Sequence, residues 1–354
     1  MSVFFDNPPL DADSPEPVPD TSAADEVSPE ELEARRRKLR LLGVMIVIAA
    51  MLAALFTWYL VNRKPLSQLP GLDWERVPAY KFSVYGVSEP LGVAVTPSGD
   101  RIYVTQSGGD RTTKVFDDSG QEVGVLVPSD SSAPSHMPVY VAVNPLTEDV
   151  YVTDRTAREI YVYDRDGNYL RQFIPKARGK KWQPLGIGFD EAGNVTVTDV
   201  AGKQRILVFS PDGELIRELG SPGLTSFPNG VAVDGAGNTI VSDSNNGRVL
   251  LFDGQGNVVA EIKRGSGPGD TSMPRGVAVA DGHLLYVADT TNQRVQLYDI
   301  AGLSQETGPR LVGLFGAEGS GEGLFEFPNG AAADARSHVY ITDRVNDRVQ
   351  VWGY

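Results

Sequence analysis

The sequence predicts an all-β, six-bladed β-propeller with four antiparallel strands per blade, preceded by one transmembrane α-helix. Three observations carry this. A proline-led phrase recurs six times, at Pro90, Pro138, Pro184, Pro228, Pro274 and Pro328, with spacings of 48, 46, 44, 46 and 54 residues. The last copy stops one strand short, at Tyr354, while a strand-like stretch without a repeat of its own precedes the first. Ahead of all copies, Leu41 to Val61 runs 21 residues without a charge, directly behind a basic cluster.

In chain order, residues 1–34 hold ten acids and no base, and are rich in Pro, Asp, Glu and Ser. Such a segment buries too little apolar surface to offset its ordering entropy, so a disordered acidic tail is expected. Ser28-Pro29-Glu30-Glu31 reads as a helix start, with a serine cap and proline in the first turn. Arg35, Arg36, Arg37, Lys38 and Arg40 follow. The apolar run 41–61 matches the roughly 20 residues that cross a hydrocarbon core. It is longer than the ~7–15 apolar residues of a signal peptide, and no small-residue cleavage site follows. The lipid bilayer is therefore an expected partner. Five bases before the run and two after it, Arg63 and Lys64, place the N-terminus in the cytoplasm and the rest outside the cell membrane. Residues 65–80, with Pro65, Pro70, Gly71 and Pro78, read as a linker.

The fullest phrase is Pro228–Asp253: three short apolar runs with period-two alternation, separated by turn residues. Small residues recur two and four positions after the prolines, as in Gly230 and Ala232, with Tyr140 the exception. Strands so reduced can crowd around an axis. Fourth strands are expected at Glu122–Leu126, Tyr169–Phe173, Glu214–Leu219, Val258–Ile262 and Leu311–Phe315. Four strands repeated radially make a propeller over 81–354. The stretch 81–86 is expected to pair with Val349–Trp352, close the ring and remove both free edges.

The phrase Pro-x-Gly-Val-Ala-Val-Asp, with Asp243-Ser244-Asn245-Asn246-Gly247-Arg248, Asp289-Thr290-Thr291-Asn292-Gln293-Arg294 and Asp343-Arg344-Val345-Asn346-Asp347-Arg348, resembles the NHL repeat. The resemblance covers 81–354. It implies the fold and leaves function open, since propellers of this kind include protein-binding and RNA-binding modules, lyases and lactone hydrolases. Copy one departs, with Gln106 for the aspartate and Lys114 for the arginine, and copy two has no asparagine between Asp154 and Arg158.

The recurrent pairs Asp154/Arg158, Asp199/Arg205, Asp243/Arg248, Asp289/Arg294 and Asp343/Arg348 read as salt bridges within each blade, which would hold the carboxylates ionised. The position after each proline breaks the symmetry: Leu91, Val139 and Leu185, then Asn229, Arg275 and Asn329. Together with Tyr140, which stands where other copies have glycine, Asn229, Arg275 and Asn329 form the expected ligand site at the channel mouth. A second candidate is the loop Lys176, Arg178, Lys180, Lys181 and Trp182, suited to an anionic partner.

The three histidines, His136, His283 and His338, fall at two ends of the strands and cannot share one tetrahedral metal. No cysteine is present, which excludes disulfides and thiolate chemistry. No cofactor is expected, though zinc or calcium stays open under an enzyme reading. The acidic balance, −14 overall, argues against nucleic acid as a partner. The reading is a membrane-anchored scaffold for a protein, peptide or envelope polymer. The alternative is a metal-dependent lyase or lactone hydrolase with its site at the channel mouth.

Overall fold

The computed structural model describes residues 29–62, 77–128, 136–176, 178–179, 181–304 and 306–354. Residues 1–28 of the expected disordered tail, and the linker up to residue 76, lie outside the described residues, while residues 29–34 belong to a helix. One continuous helix, Pro29–Asn62, carries both the basic cluster and the apolar run. Its interior holds no proline, and Gly43 meets nothing within 4 Å, so nothing interrupts it where charge gives way to apolar residues. Leu41, Ile46, Met51 and Phe56 are all exposed along it. It is long and apolar enough to cross a membrane.

The β-structure forms six four-stranded antiparallel sheets. Blade four is typical: Pro228–Val233, Thr239–Asp243, Arg248–Phe252 and Val258–Ile262. The first strand explains the recurring proline. Pro228 sits opposite Asp243, but regular pairing resumes only at Val231 opposite Val241. Proline has no N–H to give the ladder, and the bulge frees the two residues after it to meet the next blade. A hydroxyl then joins the blades. Gly230 N–H donates to Ser242 Oγ (2.8 Å), and Ser242 Oγ donates to the Arg275 carbonyl of blade five. Thr105, Thr153, Thr198 and Thr342 do the same toward Val139 (2.7 Å), Leu185 (2.7 Å), Asn229 (3.1 Å) and Leu91 (3.0 Å). Blade five has Ala288 there, and Thr290 Oγ1 reaches the Pro328 carbonyl instead (2.7 Å). The signal for this belt is a Ser or Thr just before four of the five aspartates and before Gln106.

The aspartates act as latches within blades. Asp343 accepts from Glu326 N–H (2.7 Å), Asn346 Nδ2 (2.9 Å) and Arg348 Nε (2.8 Å). The Arg348 guanidinium continues to the carbonyls of Gly321 (2.6 Å) and Leu324 (2.8 Å). Asp243 and Asp289 repeat the arrangement with Arg248 and Arg294, and Asp199 pairs with Arg205 at 3.0 Å.

Two expectations need correction here. Asp154 does not pair with Arg158. Arg158 adopts φ 59° in the turn, so Glu159 takes the position opposite Asp154, and Asp154 bonds His136 Nδ1 at 2.9 Å. Nor does pairing hold every latch carboxyl low. Burial pushes the Asp289 carboxyl above its ordinary value despite its bonds to Ser272, Asn292 and Arg294.

The ring closes as expected, two residues early. Ala79–Val84 pairs with the last strand, Val84 opposite Val349, Phe82 opposite Val351 and Tyr80 opposite Trp352, with a bulge at Lys81. Gly86 turns away at φ 88°. The fourth strands fall within one or two residues of their expected bounds.

Candidate ligand site at the channel mouth

The six residues that follow the repeat prolines lie in the first strands of the six blades. Leu91, Val139 and Leu185, from blades one to three, join Tyr140 in one buried apolar cluster. Asn229 and Asn329 are buried too, and Arg275 is partly so. The residues after the prolines are thus apolar and clustered in blades one to three, and polar in blades four to six.

Tyr140 is the exception that shapes the mouth. In blades three to six the residue two after the proline is glycine, because its α-carbon abuts the next blade. A Cβ at Gly276 would stand 2.5 Å from the Asn329 carbonyl oxygen, and one at Gly186 or Gly230 would overlap the carbonyl of Asn229 or Arg275. Blade two resumes pairing one residue earlier, with Tyr140 opposite Thr153. That shift turns the side chain clear of blade three and lets the ring extend inward.

The phenol reaches the polar side. Arg275, from blade five, acts on it by its charge, and the Asn329 side chain, from blade six, lies within hydrogen-bonding range of it. Burial pushes its pKa up, and the Arg275 charge opposes that rise. Arg275 Nη1 donates to Asn329 Oδ1 (2.9 Å), and Asn329 Nδ2 donates to the Leu91 carbonyl (2.8 Å). Asn329 is thus oriented by blade one and in turn orients Arg275. Two of the five buried side-chain atoms left without an acceptor meet here: the Tyr140 hydroxyl and Arg275 Nε. Leaving such a group unpaired costs about 1–3 kcal/mol. Arg275 Nε can only donate, and the phenol has a proton to give, so the complementary group is an acceptor. Among the described residues no carboxylate pairs with Arg275, and no hydrogen bond links the Asn229 side chain to the other three. The structure brings together Tyr140, Arg275 and Asn329 and leaves Asn229 beside them.

The basic loop is different from what its sequence suggests. Trp182 is 5% exposed and packs edge-on against Phe209, with ring centroids 6.3 Å apart. It is a core residue and offers no aromatic face to a partner. Lys176 pairs with Glu214 and Arg178 with Glu159 at 2.7 Å, so two of the cations are already neutralised. Lys181 is exposed, and Lys180 lies outside the described residues.

The histidines are held apart. His136 precedes the first strand of blade two and bonds Asp154. His283 Nδ1 contacts the Asp281 carbonyl (2.7 Å), and His338 Nδ1 contacts Asp334 Oδ2 (3.1 Å), both in turns between first and second strands. Among the described residues no group of three or more His, Asp or Glu side chains is placed to hold a metal ion.

Comparison with known proteins agrees with this architecture. The NHL repeat family matches residues 271–298. Protein brain tumor of Drosophila melanogaster is 30% identical over 125 residues, 34% of this chain and 12% of that protein. The B-box type zinc finger protein ncl-1 of Caenorhabditis elegans is 30% identical over 114 residues, 31% of this chain and 13% of that protein. The chain thus matches only about an eighth of the length of these relatives. Among solved structures, a streptogramin B lyase superposes with TM-score 0.55 at 14% identity, covering 77% of this chain and 96% of that one. Virginiamycin B lyase from Staphylococcus aureus gives 0.52 at 14%, over 75% and 94%. Kuenenia stuttgartiensis hydrazine synthase gives 0.54 at 17%, over 75% and 83%. At such identities the likeness is one of fold. Six four-stranded sheets, the match of residues 271–298 to the NHL repeat and the shared architecture make the chain a six-bladed β-propeller that carries an NHL repeat.

Proposed function

We propose that the protein is a single-pass, membrane-anchored binding module whose propeller stands outside the cytoplasmic membrane and takes an acceptor-bearing group at its channel mouth. The ligand class is a protein, peptide or envelope component presenting a carboxylate. One observation carries the reading: the Tyr140 hydroxyl and Arg275 Nε are buried donors with no acceptor, beside a guanidinium that no carboxylate neutralises among the described residues. A carboxylate would satisfy both, and charge-assisted bonds of that kind are about twice as strong as neutral ones.

The test compares N-acetyl-Ala-Ala with its C-terminal amide by calorimetric titration of the detergent-solubilised full chain. The acid should bind and the amide bind at least tenfold more weakly. Arg275→Ala should lose tenfold or more in affinity, about 1.4 kcal/mol, with a melting temperature close to the parent's. Tyr140→Phe keeps the ring and should weaken the acid severalfold. Equal binding of acid and amide would remove the proposal.

Orientation rests on the five bases that precede the apolar run and the two that follow. The chain has no cysteine, so a single one reports cleanly. Gln255→Cys, in an exposed turn, should react with an impermeant maleimide on intact cells, and Ser14→Cys should react only after lysis. The reverse pattern would overturn the orientation. A lyase or lactone-hydrolase reading has only the fold likeness behind it, and the residues at the mouth supply no metal-ligand set.

A further inference from the structure

The residue before each repeat proline varies against the residue after it. Blades one to three read Glu89-Pro90-Leu91, Met137-Pro138-Val139 and Gln183-Pro184-Leu185. Blades four to six read Phe227-Pro228-Asn229, Met273-Pro274-Arg275 and Phe327-Pro328-Asn329. Wherever the residue after the proline is polar, the one before it is large and apolar. Met273 is 41% exposed and Phe327 46%, and Phe227 is half-buried. The propeller buries Phe116, Phe209, Phe252 and Phe315 almost completely, so a phenylalanine left in solvent at this position breaks its habit.

The backbone keeps these side chains where they are. Phe227, Met273 and Phe327 hold left-handed φ values of 56°, 53° and 57°, which are unusual for bulky residues. The preceding blade secures two of them: Phe327 N–H donates to Gln293 Oε1 (2.6 Å), and Phe227 N–H donates to Gln204 Oε1. Two residues of chain span at most about 7 Å, so Met273 and Phe327 stand beside Arg275 and Asn329, whose side chains bond each other (2.9 Å). The two strands also touch, since a Cβ on Gly276 would lie 2.5 Å from the Asn329 carbonyl oxygen. Val345, 49% exposed, shares with Phe327 a groove of about 380 Å³ completed by Glu89, Arg344 and Asp347. Its charged groups are engaged with one another. Arg344 pairs with Glu89 at 3.0 Å, and Asp347 Oδ1 accepts from Glu89 N–H at 2.6 Å. What the groove offers a ligand is the apolar surface of Phe327 and Val345.

We infer that Met273 and Phe327 determine specificity: they receive a large apolar side chain on the last residue of a peptide whose C-terminal carboxylate lies at Arg275 and Tyr140. This deepens the carboxylate reading of the mouth and rests on it. A C-terminal leucine, isoleucine or phenylalanine carries a carboxylate and an apolar side chain on one α-carbon. Mouth and rim present the complementary pair within the reach of two residues. An internal Asp or Glu would instead bring polar backbone against the rim, and a small acid would leave the rim uncovered.

The experiment titrates the detergent-solubilised full chain calorimetrically with N-acetyl-Ala-Leu, its C-terminal amide and N-acetyl-Ala-Ala. The leucine acid should bind about tenfold more tightly than the alanine acid, and at least tenfold more tightly than its own amide. In the double variant Met273→Ser, Phe327→Ser the ratio of the two acids should fall below twofold. Met273→Ser alone should lower it partway, and serves if the double variant does not fold. Val123→Ser removes an equally exposed apolar side chain from the outer strand of blade one and should leave the tenfold ratio intact, which separates contact at the rim from a general response to lost surface. A ratio kept in the folded double variant would overturn the rim. Equal binding of the two acids by the wild type, with the amide weaker, would also overturn the rim while leaving the carboxylate reading in place. Binding of neither acid would overturn both.

Discussion

Deleting Ala79–Val84 is expected to leave an open ring that aggregates on expression or melts at least 10 °C below the parent. The strand is small, but what it covers is not. Val84 is fully buried, and Trp352 is 1% exposed beneath an edge-on contact with Tyr80 at 5.9 Å. Burying a large apolar side chain is worth about 1.5–3 kcal/mol, so uncovering Val349, Val351 and Trp352 while losing Val84 removes several kcal/mol. A domain's net stability is only about 5–15 kcal/mol. The deletion also leaves Arg348–Gly353 as an unpaired edge, a template for pairing with other chains. Light scattering and thermal melts of the purified protein check this. A synthetic peptide covering residues 77–87 should restore part of the stability in trans. A deleted chain as monomeric and heat-stable as its parent would show that the sixth blade stands on three strands.

That closure was legible because it follows from counting. A repeat of four strands that ends after three, and a spare strand at the other end, leave one topology. The fourth strands were legible for the same reason, since turn chemistry such as Asp212-Gly213 marks where each begins. The candidate site was legible only in part. Arg275 and Asn329 stood out as unlike their counterparts, and so did Tyr140, but their meeting across the axis depends on a one-residue shift in pairing that no local pattern in blade two announces. The basic loop misled because Lys176, Arg178 and Lys181 surround Trp182 in sequence, whereas the tryptophan turns into the junction below them. His136 was weighed only as a metal ligand, whereas it bonds Asp154.

Gly186→Ala is expected to be among the most damaging small substitutions in the propeller, lowering stability by about 3 kcal/mol, the upper end for an overfilled rigid core. The added Cβ would overlap the Asn229 carbonyl oxygen and press on Thr198 Oγ1 at 3.0 Å. Neither can retreat cheaply. Asn229 O is the acceptor that Thr198 Oγ1 uses to join blade three to blade four (3.1 Å), and Gly186 N–H donates to the same hydroxyl at 2.7 Å. One methyl group therefore strikes the joint between two blades, and hydrogen exchange should rise at Asn229–Val233 before it rises elsewhere. Tyr140→Gly makes the converse change at the equivalent position and is also expected to destabilise, by about 3–5 kcal/mol, as for aromatic truncations in a core. It restores the residue other blades require, yet blade two has already moved its bulge to make room, so the change opens a void inside the ring. Melting curves showing Gly186→Ala unperturbed would mean that the blades slide past one another freely. The glycine would then be a habit of the repeat rather than the condition on which six blades fit around one axis.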